Sequence, residues 1–307
     1  MTIQQMEYIV AVNKYRHFVT ASEKCGVTQP TLSSMIQKLE DELGIKIFDR
    51  SKHPVEPTIV GMRIIKQAEV ALAEMHKIKE MISTESESLS GTLRIGVIPT
   101  LAPYIIPDFI KYFVKDYPLV ELVISEGRTN PMKAELFKGQ IDIMIAATPL
   151  NEPDFLEIPI YYEKFAAYFS SLTPAPESSL SADDMPKKNL WVLQEGHCMR
   201  NQTFNFCGKI KSYNNIYEAG SIDTLIRIVD KNGGYSIIPE LHIPYLTEEQ
   251  KNNIVSISNP PATREISLII RTDFIKEKML NAVANTLKKI IPADMLNERL
   301  KKFSIKL

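Results

Sequence analysis

Residues 27–50 read Val27-Thr28-Gln29-Pro30-Thr31-Leu32-Ser33-Ser34-Met35-Ile36-Gln37-Lys38-Leu39-Glu40-Asp41-Glu42-Leu43-Gly44-Ile45-Lys46-Ile47-Phe48-Asp49-Arg50. Thr28 suits an N-cap, where a side-chain oxygen takes one of the amide hydrogens a helix leaves unpaired. Pro30 falls in the first turn, where its missing amide hydrogen does no harm. Leu32, Ile36, Leu39 and Leu43 recur at four, three and four residues, which is one apolar helix face. Gly44 ends the helix. Upstream, Ile3, Met6, Ile9, Val10 and Val12 have helical spacing, and a second short helix after His17 turns Phe18, Ala21, Ser22 and Cys25 inward. Cys25 therefore reads as core packing. Gly26 then suits a helix end. Two helices, a glycine turn and a third helix make a helix-turn-helix. The outward face of the third helix carries Gln29, Thr31, Ser33, Ser34, Gln37 and Lys38, side chains able to touch base edges and phosphates. Spacing alone serves a solvated surface equally well.

Charge tempers a nucleic-acid reading. Residues 1–60 hold seven Lys and Arg (14, 16, 24, 38, 46, 50, 52) and seven Asp and Glu (7, 23, 40, 41, 42, 49, 56), a net of zero. Non-specific DNA affinity rests on neutralised phosphates, so a neutral domain binds weakly as a monomer. Oligomers multiply modest contacts through effective concentration. The acidic cluster Glu40-Asp41-Glu42 is expected to face away from the groove, leaving Lys38, Arg50 and Lys52 as the cationic contacts.

The quoted stretch resembles the signature of LysR-type transcriptional regulators across helix-turn-helix and wing. Pro57-Thr58 and Gly61 resemble that family's turn after the wing. Residues 58–88, with Ile64, Ala68, Ala71, Leu72, Met75, Ile78 and Met81-Ile82, resemble its long linker helix. The resemblance implies antiparallel pairing of that helix with a partner's, hence a homodimer or homotetramer. It also implies promoter DNA as partner, met by Gln29, Pro30, Thr31, Ser33, Ser34, Gln37, Lys38, Arg50 and Lys52. Met35 and Gln37 stand where family members often carry Arg, which implies fewer charged contacts here.

The chain of 307 residues has 44% hydrophobic and 24% charged residues and a formal net charge of -1. That composition suits two or three ordinary domains and advertises no acidic, membrane or nucleic-acid partner. No uncharged apolar run approaches the roughly 18 residues of a spanning helix. The first residues hold no basic segment before an apolar core, so no secretory signal is read and a cytoplasmic place is expected. Beyond a polar break at Ser83–Ser88 the pattern alternates. Strands are expected at 92–98, 120–125 and 141–146, with helices at 104–115 and 130–138. A second series runs from 164–172 through 190–193, a helix at 222–230, strands at 235–238 and 265–270, and a last helix at 274–290. Alternation of this kind implies a mainly parallel sheet with covered faces. The fold class is α plus α/β: an N-terminal winged helix-turn-helix and linker helix, then two α/β lobes resembling the periplasmic-binding-protein-like effector domain of the LysR family. The expected boundaries are 1–60, 61–90 and 91–307, with lobe I at about 91–163 and 268–307 and lobe II at about 164–267. In such folds ligands sit beyond the carboxyl ends of strands, and Thr100 and Thr129 fall just past the first and second.

Two of the three cysteines lie in Gly196-His197-Cys198-Met199-Arg200-Asn201-Gln202-Thr203-Phe204-Asn205-Phe206-Cys207. His197 and Arg200 flank Cys198, and cations near a thiol favour the reactive thiolate. A second thiol within reach traps an oxidised sulfur as a disulfide. Two other readings stand beside that switch: cysteines packing as small hydrophobes, or zinc held by His197, Cys198 and Cys207. The segment, with Gly96-Val97-Ile98-Pro99-Thr100 and Pro103-Tyr104, resembles the peroxide-sensing OxyR subgroup of the LysR family. That resemblance implies Cys198 as the thiol that attacks hydrogen peroxide and Cys207 as its resolving partner. It places Thr100, Thr129 and His197 around the peroxide, and gives Arg200 the lowering of the thiol pKa and the stabilising of the departing hydroxide. Asn201 stands where the family often has Asp. The expected protein is a regulator rather than an enzyme, without cofactor or metal. RNA polymerase and a cytosolic thiol reductant are expected as further partners. A LysR-type regulator answering a small metabolite, or a thiol peroxidase, are the alternatives.

Overall fold

Thr2 starts the first helix, α1 (Ile3–Tyr15), as a capping box: its side chain accepts the Gln5 amide, and the Gln5 side chain accepts the Thr2 amide. His17 caps α2 (Phe18–Lys24), and Thr28 caps α3 (Gln29–Leu43), which closes on Gly44 at φ 67. The computed structural model describes residues 1–83, 89–173, 175–176, 179–181, 184–186, 188–206, 217–258, 261–296 and 305–306. The chain divides into two compact units, Met1–Glu85 with Phe137–Gln140, and Ser86–Leu136 with Ile141–Leu307.

In the first unit Leu32, Ile36 and Leu39 of α3 are fully buried against Tyr8, Ile9 and Val12 of α1 and Ala21 of α2. Ile3, expected inside, is 43% exposed, and Tyr8 takes the buried position. Cys25 is partly buried against this core. A two-stranded wing follows, β1 (Phe48–Asp49) against β2 (Glu56–Pro57). Glu40 departs from the expected acidic cluster. It is buried, and its Oε1 accepts the amides of Ile47 at 2.7 Å and Phe48 at 3.1 Å. Its Oε2 faces Arg50 at 3.5 Å and Lys46 at 3.6 Å. A carboxylate at the end of the helix thus pins the wing to it, and its charge is spent inside. Thr58 Oγ1 accepts the amide of Gly61 at 2.9 Å, starting the long α4 (Ile59–Ser83). A side chain at residue 61 is excluded, since a Cβ would stand 2.0 Å from the Ile47 carbonyl oxygen.

The second unit runs β3 (Gly91–Val97), α5 (Ala102–Asp116), β4 (Val120–Glu126), α6 (Thr129–Phe137), β5 (Ile143–Thr148), β6 (Phe155–Phe169), α7 (Cys198–Phe206), α8 (Ile222–Asn232), β7 (Tyr235–Pro239), a 3-10 turn (Glu240–Tyr245), α9 (Glu248–Lys251), β8 (Ile254–Ser256), β9 (Ala262–Arg271), α10 (Glu277–Ile290) and β10 (Ile305–Lys306). The main strand order is β4-β3-β5-β9-β6-β7. Among the described strands β3 with β4, β3 with β5 and β10 with β9 pair parallel, while β5–β9, β6–β9, β6–β7 and β6–β8 pair antiparallel. The sheet is therefore mixed, not mainly parallel. The cause is β9, which runs antiparallel to both of its neighbours, β5 and β6. Residues 190–193 form only single bridges at Leu190 and Leu193 rather than a strand. Two hydrophobic cores result. One packs α5 and α10 on β3, β5 and the first half of β6; the other packs α8 on β7 and the second half of β6. Both β6 and β9 contribute to each.

Candidate functional site

Four segments far apart in sequence meet where α7 begins. The register of β6 with β9 sets Glu163 opposite Arg264, and both side chains are fully buried. Arg264 Nε donates to Glu163 Oε2 at 2.7 Å. Its Nη1 donates to Thr100 Oγ1 at 3.0 Å and its Nη2 to the Thr100 carbonyl at 3.1 Å. Glu163 Oε1 accepts the Leu241 amide at 3.0 Å. Burial opposes the charged form of such a guanidinium. Glu163 first, then Cys198 and Tyr161, outweigh it and hold Arg264 charged. A buried ion pair persists when its remaining hydrogen-bonding positions are met, as they are here.

Cys198 is the first residue of α7 and is partly buried. Burial pushes its thiol up from the ordinary range. Arg264, the Thr129 hydroxyl and the Met199 and Ala147 backbone pull the other way without cancelling it. The thiolate expected from flanking cations is thus not the resting form. Arg200 carries an ion pair of its own. Its Nη2 is bound to Glu218 Oε1 at 2.6 Å. Along a helix, residues two apart sit about 200° round the axis and do not face each other. Arg264, from β9, supplies the facing charge.

Thr129 opens α6, and its buried Oγ1 has no hydrogen-bonding oxygen or nitrogen. It stands where it favours the thiolate. His197 is buried, and burial first, then Arg128, shifts its imidazole toward the neutral form. Thr129, His197 and Cys198 line one cavity of about 360 Å³, together with Lys133, Thr148, Asn201 and Gln202. Thr100 lies outside this lining and reaches the thiol's surroundings through Arg264. Asn201 is exposed at the cavity rim. Cys207 lies outside the described residues, as do the side chains of Phe204 and Phe206, so the resolving thiol and any zinc set that includes it are not placed. Among the described residues no three His, Cys, Asp or Glu side chains gather as metal ligands, and no helix is long and apolar enough to cross a membrane.

Of the DNA candidates, Gln29, Pro30, Thr31, Ser34, Lys38, Arg50 and Lys52 are exposed, and Ser33 and Gln37 are half-buried. Arg50 Nη1 donates to Ser33 Oγ at 3.1 Å, and Gln37 Nε2 donates to Asp41 Oδ1 at 2.7 Å. These bonds fix part of the reading face in advance. Lys52 is paired with Glu56 at 2.5 Å.

Glu163 and Arg264 are the residues of this site that sequence reading missed. A signal existed: opposite charges interrupt runs that are otherwise apolar, and charged side chains inside a sheet need each other.

Residues 3–62 match the family described as bacterial regulatory helix-turn-helix protein, lysR family, and residues 86–290 match the LysR substrate binding domain. A hydrogen peroxide-inducible genes activator from Haemophilus influenzae is 34% identical over 299 residues, covering 95% of this chain and 99% of its own. The DNA-binding transcriptional dual regulator OxyR of Escherichia coli is 34% identical over 88% of this chain and 90% of its own. Among solved structures, a full-length cysteine-to-aspartate variant of OxyR from Pseudomonas aeruginosa aligns with TM-score 0.77 and 30% identity, covering 94% of this chain and 95% of that one. A cysteine-to-serine variant of OxyR from Corynebacterium glutamicum, with hydrogen peroxide bound, aligns with TM-score 0.64 and 27% identity, covering 100% and 97%.

Proposed function

Since this chain belongs to the LysR family of bacterial helix-turn-helix regulators, we propose that it binds promoter DNA and senses hydrogen peroxide through a reversible disulfide between Cys198 and Cys207. The observation that carries the reading is the Cys198 thiol at the edge of a polar cavity, against the Thr129 hydroxyl and the charged Arg264. The domain division is 1–60 for DNA, 61–90 for dimerisation and 91–307 for sensing.

The chemistry follows from these groups. A proton leaves Cys198, and the thiolate attacks one peroxide oxygen; the S–O bond forms as O–O breaks. The departing hydroxide takes a proton and leaves as water. Thr129 and His197 are the donors within reach of those oxygens, and Arg264 offsets the charge on the sulfur before attack. The sulfenic acid then meets the Cys207 thiolate, the S–S bond forms, and a second water leaves once protonated. A dithiol reductant restores both thiols by exchange.

Forming that disulfide requires α7 to come apart. Eight steps of helical rise put the Cα atoms of Cys198 and Phe206 about 12 Å apart, and a disulfide needs its Cα atoms within about 7 Å. Unwinding frees Met199, which is buried in the second core. Reorganisation there is the means by which one bond reaches the dimer and the DNA. Activation of its target genes follows what the relatives' names describe, and RNA polymerase is the partner it would act through.

The cavity also favours a second reading, a small metabolite as effector, because its size falls at the lower end of ligand pockets. Thiol titration separates the two. One equivalent of hydrogen peroxide is expected to remove two of the three thiols and spare Cys25, and Cys198→Ser is expected to abolish any oxidant-dependent change in the promoter footprint. An unchanged titration leaves the metabolite; sustained peroxide turnover with a dithiol donor makes the chain a peroxidase.

A further inference from the structure

Arg128 lies in the turn between β4 and α6, one residue before Thr129, and its carbonyl accepts the Met132 amide at 3.1 Å in the first turn of α6. Its side chain reaches away from that helix, to the segment that delivers Cys198. Nη2 donates to Gln194 Oε1 at 2.6 Å. Gln194 is itself anchored: its amide donates to the Ala219 carbonyl at 2.9 Å, and its carbonyl accepts the His197 amide at 3.4 Å. The Arg128 stem also lies flat on Gly196. A Cβ on that glycine would stand 2.9 Å from Arg128 Cδ, and Gly196 adopts φ +94, a conformation that favours glycine. One side chain therefore meets residues 194 and 196, immediately ahead of the reactive sulfur. Its neighbour Thr129 meets the sulfur itself.

We propose that Arg128 is a positioning residue that clamps Gln194–His197 onto the start of α6, so that the Cys198 sulfur is held against the Thr129 hydroxyl for attack on peroxide. The proposal rests on the peroxide reading above for its chemistry, but the clamp stands on geometry alone. Attack along the O–O axis needs the sulfur placed to a fraction of an ångström. A loop that drifts off α6 loses that placement while exposing the sulfur to larger reagents. The two consequences have opposite signs.

The clamp also sets the charge around His197. The groups facing or flanking the imidazole are Arg128 from the turn before α6, Lys133 on α6, and Glu195 and Cys198 on its own segment. Glu152 pairs with Lys133 at 2.6 Å, which leaves Arg128 as the cation acting on the ring. Removing it moves the His197 titration upward.

The test uses the full-length protein and follows Cys198 by peptide mass spectrometry after rapid quench. Arg128→Ala is expected to slow oxidation by hydrogen peroxide about fivefold, the size one hydrogen bond carries. The same variant should speed alkylation by iodoacetamide, a bulkier electrophile. Its His197 ring resonances should titrate at higher pH. Gln194→Ala should match it in the two rates, and the double variant should add little, because both remove one contact. The proposal is overturned if the peroxide rate stays within about twofold of the parent, or if the two substitutions multiply. It is also overturned if both reagents change in the same direction, which is the mark of general loosening. If the parent's Cys198 is inert to hydrogen peroxide while Arg128→Ala still raises alkylation and shifts His197, the clamp stands and the peroxide reading falls.

Discussion

Helices α3 and α7 solve the same problem with different means. The longer one, α3, carries its own start and stop. Thr28 caps it, Pro30 fits its first turn, Gly44 closes it, and Leu32, Ile36 and Leu39 bury its inner face completely. The shorter one, α7, opens on Cys198, directly after the buried His197. It is held by what surrounds it: Met199 in the second core, the buried Gln202 and Thr203, and the segment at 194–197 that Arg128 grips. A helix specified by its own residues persists whatever its neighbours do. A helix specified by its neighbours is exchangeable when one of them changes, which is what a two-state switch needs.

The largest expected effect falls on the supports of α7. Arg264→Met leaves Glu163 buried with no facing cation, and removing one partner of a buried pair is destabilising by about 3–5 kcal/mol. Urea unfolding of the second unit should show the loss, while melting of the first unit stays where it was. A variant as stable as the parent would mean that the buried pair does not hold β6 to β9. The change should also raise the Cys198 thiol further and slow its oxidation at neutral pH, since Arg264 is the cation that opposes burial there.

A core deletion in α3 is the counterpart. Ile36 is fully buried between α1 and the wing side of the first unit. Ile36→Ala should destabilise that unit by about 2–5 kcal/mol, the usual penalty for emptying such a site. Promoter affinity should fall through loss of the folded fraction. Peroxide oxidation of Cys198 should not change. Any effect of this substitution on sensor kinetics would break the contrast between a self-specified and a neighbour-specified helix.

The same contrast explains how much was legible beforehand. The caps, glycines and apolar periods of α2 and α3 are local signals, and they placed the helix-turn-helix and its exposed face to within a residue. At the candidate site, local signals pointed to Cys198, His197 and Thr129, which line one cavity. They failed where the answer depended on pairing between strands. Glu163 and Arg264 sat at the margins of expected strands at 164–172 and 265–270, and the register that sets them opposite each other belongs to a 15-residue β6 that no local pattern announced. Arg264 was missed for a related reason: it lies far from Cys198 along the chain, whereas the nearer Arg200 pairs with Glu218. The burial of Glu40 was not legible because it is decided by the amides of Ile47 and Phe48, which arrive only once the wing folds back.

An intermediate effect tests the resting state of the switch. Burial raises the Cys198 thiol, so the protonated form dominates at neutral pH. Below its pKa, each unit of pH then increases the thiolate, and with it the rate of reaction with peroxide, about tenfold. Stopped-flow oxidation between weakly acid and weakly alkaline buffers should rise with that slope. A flat profile across neutrality would mean a thiolate already formed, and the role assigned to burial would fail. A raised thiol suits the proposed sensor, because the sulfur rests in its less reactive protonated form.

The smallest effect is the sharpest on α3 itself. Thr28 Oγ1 accepts the Thr31 amide at 3.4 Å and bonds the Thr31 hydroxyl at 2.8 Å. Thr28→Ala removes that cap and should destabilise the first unit by about 1 kcal/mol, the usual size for an N-cap. Differential scanning calorimetry of the full chain should show this unit alone moving. The same substitution also loosens Thr31, one of the exposed candidates for base contact, so promoter affinity should drop by more than the stability change predicts. If affinity and stability fall together in proportion, Thr31 acts only through the fold. The excess between them therefore measures whether the start of α3 reads DNA or merely supports the residues that do.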